Sequence, residues 1–192
     1  MNRDFSDAPP SASLLSKPHL VGRLRAGLEN AIMTALAPLD GPGTVFRWVF
    51  KVPLLFDRLG LHRLLPPHVL ILTTIGRKSG QPRKTPLEYM YDPATDTYQV
   101  MAGWAGKTDW YRNARANPNV VVQVGSRSFP ATAVPLPDDR VAQALIDITR
   151  MNPGSLKIWS RWAGRPLDGS EASLRQATPY FPMLCLVPSM KK

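Results

Sequence analysis

The chain has 192 residues, 44% of them hydrophobic and 20% charged, which is the balance of a soluble globular protein with one sizeable core. A single cysteine, Cys185, excludes an intrachain disulfide, and it sits in an apolar run that reads as core. The net charge of +10 directs attention to polyanions, namely nucleic acid, anionic lipid or a multiply charged cofactor, and charge alone does not choose among them.

Residues 1–17 are rich in Ser, Pro and Asp without a period and read as a flexible tail. They lack the continuous apolar stretch of a secretory signal, so the expected location is the cytoplasm. Residues 18–68 read as a helical segment, in which Leu20, Leu24, Leu28, Ile32 and Leu36 form one drifting stripe. A second helical pattern over 45–60, bent at Pro53, sets Phe46, Trp48, Phe50 and Leu54 against Arg47, Lys51 and Arg58. Such a basic amphipathic stretch packs on the rest of the fold or touches an anionic membrane surface from one side. Its most apolar part, 48–56, is interrupted by Lys51 and Pro53 and falls short of the roughly 20 residues a spanning helix needs.

From residue 69 the period changes from helix to strand, and residues 69–192 read as one domain. Strands are predicted over 69–75, 85–91, 98–103, 120–124, 128–136 and 183–187, separated by Gly, Pro, Asn or Asp turns, with a hairpin connection at 92–96. A short helix carries Trp110 to Ala116, capped by Thr108 or Asp109 and stopped by Asn117-Pro118. Another follows Pro137, with Asp138 and Asp139 in its first turn and Val141, Ala144, Leu145, Ile148 and Met151 on one face. About six short strands in hairpin-like order, with helices ahead and inserted, predict an α+β fold with an antiparallel barrel or strongly curled sheet.

The densest charge lies between the first two strands. Gly76-Arg77-Lys78-Ser79-Gly80-Gln81-Pro82-Arg83-Lys84 holds four cations and no anion, bounded by glycines that let a ligand approach the main chain closely. Arg77, Lys78, Arg83 and Lys84 are expected to converge there on a phosphate or carboxylate. A solvated hairpin tip is the competing reading of the same residues. His19, His62 and His68 show no ligand spacing, so no metal site is expected, and no Ser-His-Asp or Cys-His set offers a catalytic side chain. No nucleic-acid recognition motif accompanies the basic residues.

The run from Leu72 to Leu87, followed by Asp109-Trp110-Tyr111-Arg112-Asn113 and Arg115-Ala116-Asn117-Pro118, resembles the deazaflavin-dependent nitroreductase family. The resemblance implies a split β-barrel of the flavin-reductase (FMN-binding) type that binds coenzyme F420, a deazaflavin with a phosphate and an acidic tail; FMN is the alternative ligand. It implies contacts to the phosphate end from Arg77, Lys78, Ser79 and Arg83, and contacts along the following strand from Lys84, Thr85, Pro86, Leu87 and Glu88. Met101, Ala102, Gly103 and Trp104 would border the ring, with Lys107 replacing a lysine that some members carry at position 104. Asp109, Trp110, Tyr111 and Asn113 complete the implied cofactor set, through the amino end of their helix. Trp159, Trp162 and Tyr180 are available for an aromatic substrate wall.

The activity implied is hydride transfer from reduced F420 to a small electrophile, a quinone, enone or nitro compound, with no catalytic side chain assigned. A non-catalytic F420 or flavin carrier is the alternative. Whether the protein is a monomer or a homodimer is left open by the sequence.

Overall fold

The computed structural model describes residues 68–189. The tail 1–17, the helical patterns of 18–67 and the membrane contact expected of them lie outside the described residues. Among the described residues seven strands form rather than about six: β1 (Val69–Ile75), β2 (Pro82–Glu88), β3 (Met90–Asp92), β4 (Thr97–Met101), β5 (Asn119–Val124), β6 (Arg127–Pro135) and β7 (Met183–Pro188). All pairings are antiparallel, in the order β2-β1-β5-β6-β7-β4-β3.

The extra strand arises because the expected strand 85–91 changes partner partway. β2 pairs with β1, Pro82 opposite Ile75 and Glu88 opposite Val69. One residue later β3 pairs with β4, Met90 opposite Gln99 and Asp92 opposite Thr97. Between them the Tyr89 N–H donates to the His68 carbonyl at 3.1 Å. The two edges of the sheet are thus consecutive in the chain, and a sheet whose edges are one residue apart must curl until they meet. Pro82 and Pro86 are tolerated in β2 because an edge strand needs fewer ladder donors.

Strand alternation sends Leu70, Leu72, Val100, Val122, Ala131, Ala133, Leu184 and Leu186 inward to a common core. The registers place Ile75, Pro82, Met101, Asn119, Pro135 and Met183 at one end of the barrel. The other end is packed with rings: Tyr98 lies 5.4 Å from Tyr89, 5.0 Å from Tyr91 and 5.5 Å from Phe129 between centroids. Burial pushes the Tyr98 phenol above its ordinary pKa.

Helix α1 (Asp109–Ala116) joins β4 to β5 across the first end and lowers Trp110 and Ala114 into the interior core. Three further helices, α2 (Asp138–Met151), α3 (Ser155–Ala163) and α4 (Glu171–Gln176), cover the outer face and build a second core with Phe181 and Met183. The helix expected after Pro137 is present and its face is largely the expected one. Val141, Ala144 and Leu145 are buried and Ile148 packs against the second core, joined by Ala142, Ile146 and Thr149, whereas Met151, placed on the buried stripe by the sequence, is 37% exposed in the last turn. α3 and α4 were not expected. Gly164 closes α3 in a left-handed C-cap at φ +66°, and the Ser170 hydroxyl caps α4 by accepting the Ser173 N–H at 3.2 Å.

One buried side chain ties three elements together. Asn113 on α1, 4% exposed, accepts from the Arg77 main-chain N–H at 3.1 Å and from Arg77 Nη1 at 2.9 Å. Its own amide donates to Thr74 Oγ1, on β1, at 3.4 Å. Truncating it strands buried polar groups on both neighbours, which costs more than the bonds themselves.

Asn113→Ala is expected to lower stability by about 2–3 kcal/mol in urea unfolding, whereas its exposed neighbour Arg112→Ala stays within about 0.5 kcal/mol. Equal effects of the two would remove Asn113 from this role. The Cys185 thiol is buried and its pKa is pushed up by that burial, so the thiolate is scarce at neutral pH. A thiol reagent is expected to leave Cys185 unmodified in the native protein at neutral pH and to label it once denaturant is added; rapid native labelling would contradict its placement.

Candidate functional site

The glycine-bounded loop and the helix-bearing connection after β4 lie at the same end of the barrel. Within the loop, the Ser79 and Gly80 N–H groups donate to the Gly76 carbonyl at 3.1 and 2.7 Å, and the Gly76 N–H donates to the Gln81 carbonyl at 2.9 Å. The two glycines serve different needs. Gly80 is left-handed at φ +64°, whereas Gly76 sits in close quarters, where a Cβ would lie 2.7 Å from Ser79 Oγ and 3.3 Å from the Gln81 carbonyl oxygen.

The four cations do not gather at one point. Arg77 turns back to α1, its Nη2 2.8 Å from Asp109 Oδ1 and its Nη1 3.5 Å from the Asp109 carbonyl. The Asp109 side chain is 84% exposed, so this ion pair is worth at most about 1 kcal/mol, and the buried Asn113 bonds dominate the clamp. Arg83 faces the same side of β2 as Thr74 does on β1, and its Nη2 reaches Ser79 Oγ at 3.5 Å. Lys84, one residue on, turns to the opposite face with Thr73. Lys78 is exposed on the loop. The arrangement offers an anion two flexible cations, Lys78 and Arg83, from a loop whose main chain is held by a third.

Further along β2, Thr85 and Leu87 share the inward face with Leu72 and Leu70, and Leu87 packs on the interior core. Pro86 is buried on the outer face and Glu88 is exposed near the strand's end.

Beyond β4 the main chain is unusual. Trp104, Ala105 and Gly106 have φ of +52°, +51° and +69°, three successive left-handed residues of which two carry side chains. Each such side-chain residue costs roughly 1–2 kcal/mol relative to its relaxed form. The turn is closed by Gly106 N–H to the Gly103 carbonyl at 3.2 Å and Lys107 N–H to the Trp104 carbonyl at 3.1 Å. Neighbours crowd both glycines: a Cβ on Gly103 would lie 2.9 Å from the Trp162 indole, and one on Gly106 would lie 2.8 Å from the Tyr111 ring. The Trp104 and Trp162 rings stack at 4.6 Å, tilted by 35°.

Thr108 occupies the N-cap position of α1 with extended backbone, yet its hydroxyl makes no capping bond. Thr108 Oγ1 is buried without a hydrogen-bond partner among the described residues. The first amides of α1 are thus left without a side-chain acceptor, beside an orphaned hydroxyl and near the basic loop. This donor set suits an anionic group.

Of the remaining sequence candidates, Ala102 and Trp110 are in the interior core, Met101 packs against the second core, and Lys107 is exposed on the turn. Tyr111 is half-buried, with Arg115 Nη1 donating to its hydroxyl at 3.3 Å. Trp159 is buried against Phe181 at 5.6 Å between centroids, inside the second core, and Tyr180 packs at that core's margin. Of the aromatic trio, Trp162 stacks on the turn after β4, and the Thr178–Tyr180 segment also lies beside that turn. Sequence reasoning missed that turn, although Gly103 and Gly106 flanking Trp104-Ala105 were its available signal. It also missed the clamp, which the one-turn spacing of Asp109 and Asn113 on α1 makes legible once Arg77 is known to lie opposite. Among the described residues no group of three or more His, Cys, Asp or Glu is placed to hold a metal ion.

The model of the F420H(2)-dependent quinone reductase family matches residues 59–168. Over 84 residues the chain is 42% identical to F420H(2)-dependent quinone reductases of two Mycobacterium tuberculosis strains, CDC 1551 and H37Rv, a match covering 41% of this chain and 54% of each relative. The chain thus spans about half the length of these curated relatives. A solved F420-H2 dependent reductase, FDR-A, superposes with a TM-score of 0.43 at 25% identity, covering 64% of this chain and 96% of the other. With its family model running through both the basic loop and α1 and across more than half of its residues, the chain belongs to the F420H(2)-dependent quinone reductase family.

Proposed function

We propose that this protein is a reductase that binds reduced F420 and passes a hydride to a small electrophilic acceptor, a quinone in the first place, with enones and nitro compounds as further electrophiles. One observation carries the reading. The basic loop Gly76–Gln81 is clamped through Arg77 and Asn113 to the uncapped amino end of α1, so that exposed cations and free helix amides share one end of the barrel. Within a family defined by F420H2 dependence, an anion-holding device at this position has an obvious guest in the acidic portion of the coenzyme.

Reduced F420, when bound, supplies the hydride. The chain's own part is to bind and to place. Lys78 and Arg83 would hold the coenzyme's anionic portion, with Ser79 as a hydroxyl donor, and the unpaired Thr108 hydroxyl and first-turn amides of α1 would complete the polar cradle. Arg77 is already committed to Asp109 and Asn113, so its contribution is to keep the loop main chain in place. The turn over residues 102–107 would border the ring with a short, closely packed main chain and with the Trp104 indole, which excludes water from that side. No described side chain stands out as a proton donor, and the reading requires none, since solvent can protonate the reduced acceptor.

On this reading the protein works in the cytoplasm as a monomer or homodimer, with the basic stretch 45–65 as the segment that would touch an anionic membrane. No helix among the described residues is long and apolar enough to cross a bilayer.

The direct test mixes reduced F420 and a quinone panel with the protein and follows coenzyme reoxidation against a protein-free control; acceleration is expected, and tight binding without acceleration would instead identify a carrier. In fluorescence titrations, Lys78→Ala and Arg83→Ala are each expected to weaken F420 binding by roughly 1–3 kcal/mol, with stability unchanged, as for loss of a charge-assisted contact. Unaltered affinity in both variants, or a preference for FMN over F420, would overturn the assignment.

A further inference from the structure

We infer that Trp162 is a positioning residue: its indole holds the segment Trp104–Gly106 in its left-handed turn and so fixes the main chain at the end of β4. The consequence for coenzyme binding rests on the function proposed above; the holding action itself rests on the turn alone.

Left to local preference, Trp104 and Ala105 would return to negative φ, since only Gly106 adopts the left-handed region without a steric penalty. Something outside the turn must keep them there. Two short hydrogen-bonded closures, Gly106 N–H to the Gly103 carbonyl and Lys107 N–H to the Trp104 carbonyl, stay within the segment and move with it. Trp162 belongs to a different element. It stacks on the Trp104 ring at 4.6 Å and lies so close to Gly103 that a Cβ there would meet its Cε3 at 2.9 Å, so one indole bears on both residues that lead into the turn.

The indole is itself well braced. It sits in the last turn of α3, which is stopped by the left-handed Gly164 and followed by a bond from the Leu167 N–H to Ser160 Oγ at 3.0 Å. Its own Nε1 is buried and has no hydrogen-bond partner among the described residues, so the ring acts through its face and edge rather than by a polar bond. A rigid plate of this kind resists the peptide rotation that would carry Trp104 back to negative φ. Glycine at 103 follows from the same packing, because any side chain would displace the plate.

The experiment compares amide hydrogen exchange of Gly106 and Lys107 in wild type, Trp162→Phe and Trp162→Leu, with Val122 and Leu72 in the central strands as internal controls. Trp162→Leu is expected to speed exchange at Gly106 and Lys107 by about tenfold while the controls stay unchanged, and Trp162→Phe to fall between. Adding Ala105→Gly to Trp162→Leu should restore part of the protection, since glycine removes one of the two steric penalties and Trp104 at φ +52° keeps the other. Unchanged exchange at the turn, acceleration spread equally to the controls, or no rescue by Ala105→Gly would each overturn the inference.

The binding arm measures the F420 dissociation constant in the same proteins. It is expected to rise about tenfold in Trp162→Leu and to recover in part in the double variant, as for a small misplacement of a binding surface. Wild type that fails to bind F420 would sink the proposed function and leave the exchange result to decide the turn. Wild type that binds, with equal affinity in Trp162→Leu despite faster exchange, would overturn the positioning role.

Discussion

The partner change at Tyr89 is the constraint from which the rest of the architecture follows. A strand segment that pairs first with β1 and then with β4 supplies both edges of the sheet, so closure is imposed by covalent continuity rather than by one more ladder. Closure sets which strand ends are neighbours, and those ends carry the chemistry. The basic loop leaves β1, the left-handed turn leaves β4, and α1 crosses between them with Trp110 sealing the interior. At the opposite end, the rings around Tyr98 fill the space that a polar opening would otherwise occupy.

Rigidity at the site end comes from buried contacts, and exposed charge adds little. The Arg77–Asp109 ion pair is the shorter polar contact, but its carboxylate lies in water and its net worth is small. Asn113, almost fully buried, holds the same arginine at its main chain and side chain and is itself tied to Thr74. The consequence is a division of labour among the cations: one is spent on architecture, whereas Lys78 and Arg83 lie exposed at the surface. At this end of the barrel strain sits on the other flank, where Trp104 and Ala105 occupy left-handed backbone conformations.

Much of this was legible in residue types and spacing. The first strand was read to the residue, and the helix closed by Asn117-Pro118 was read within one, because Gly76 and Asn117-Pro118 are strong local punctuation. The split of 85–91 into two strands was not legible, since both halves alternate alike and only the identity of the partner differs. α3 and α4 escaped notice for a different reason: they follow a proline and a glycine and are only 9 and 6 residues long, so their apolar spacing covers too few turns to stand out. The expected convergence of four cations failed on two facts, strand alternation at Arg83 and Lys84 and the long-range pairing of Arg77, of which the first was open to sequence reasoning. The left-handed turn was hidden because nothing in Trp104 or Ala105 favours it, and its cause lies 58 residues away in Trp162.

The place of β7 has a consequence for how such a chain is made. It is the last of the described strands in sequence, yet it sits between β6 and β4, near the middle of the sheet. Until the residues up to Pro188 leave the ribosome, a nascent chain holds β4 and β6 with bare ladders facing a gap and no route to a finished barrel. The hairpins β1–β2 and β5–β6 can zip early from local contacts, whereas the join that completes the wall waits for the final strand. During that interval the unpaired backbone is exposed to neighbouring polypeptides, which makes this the stage at which a chaperone would matter most.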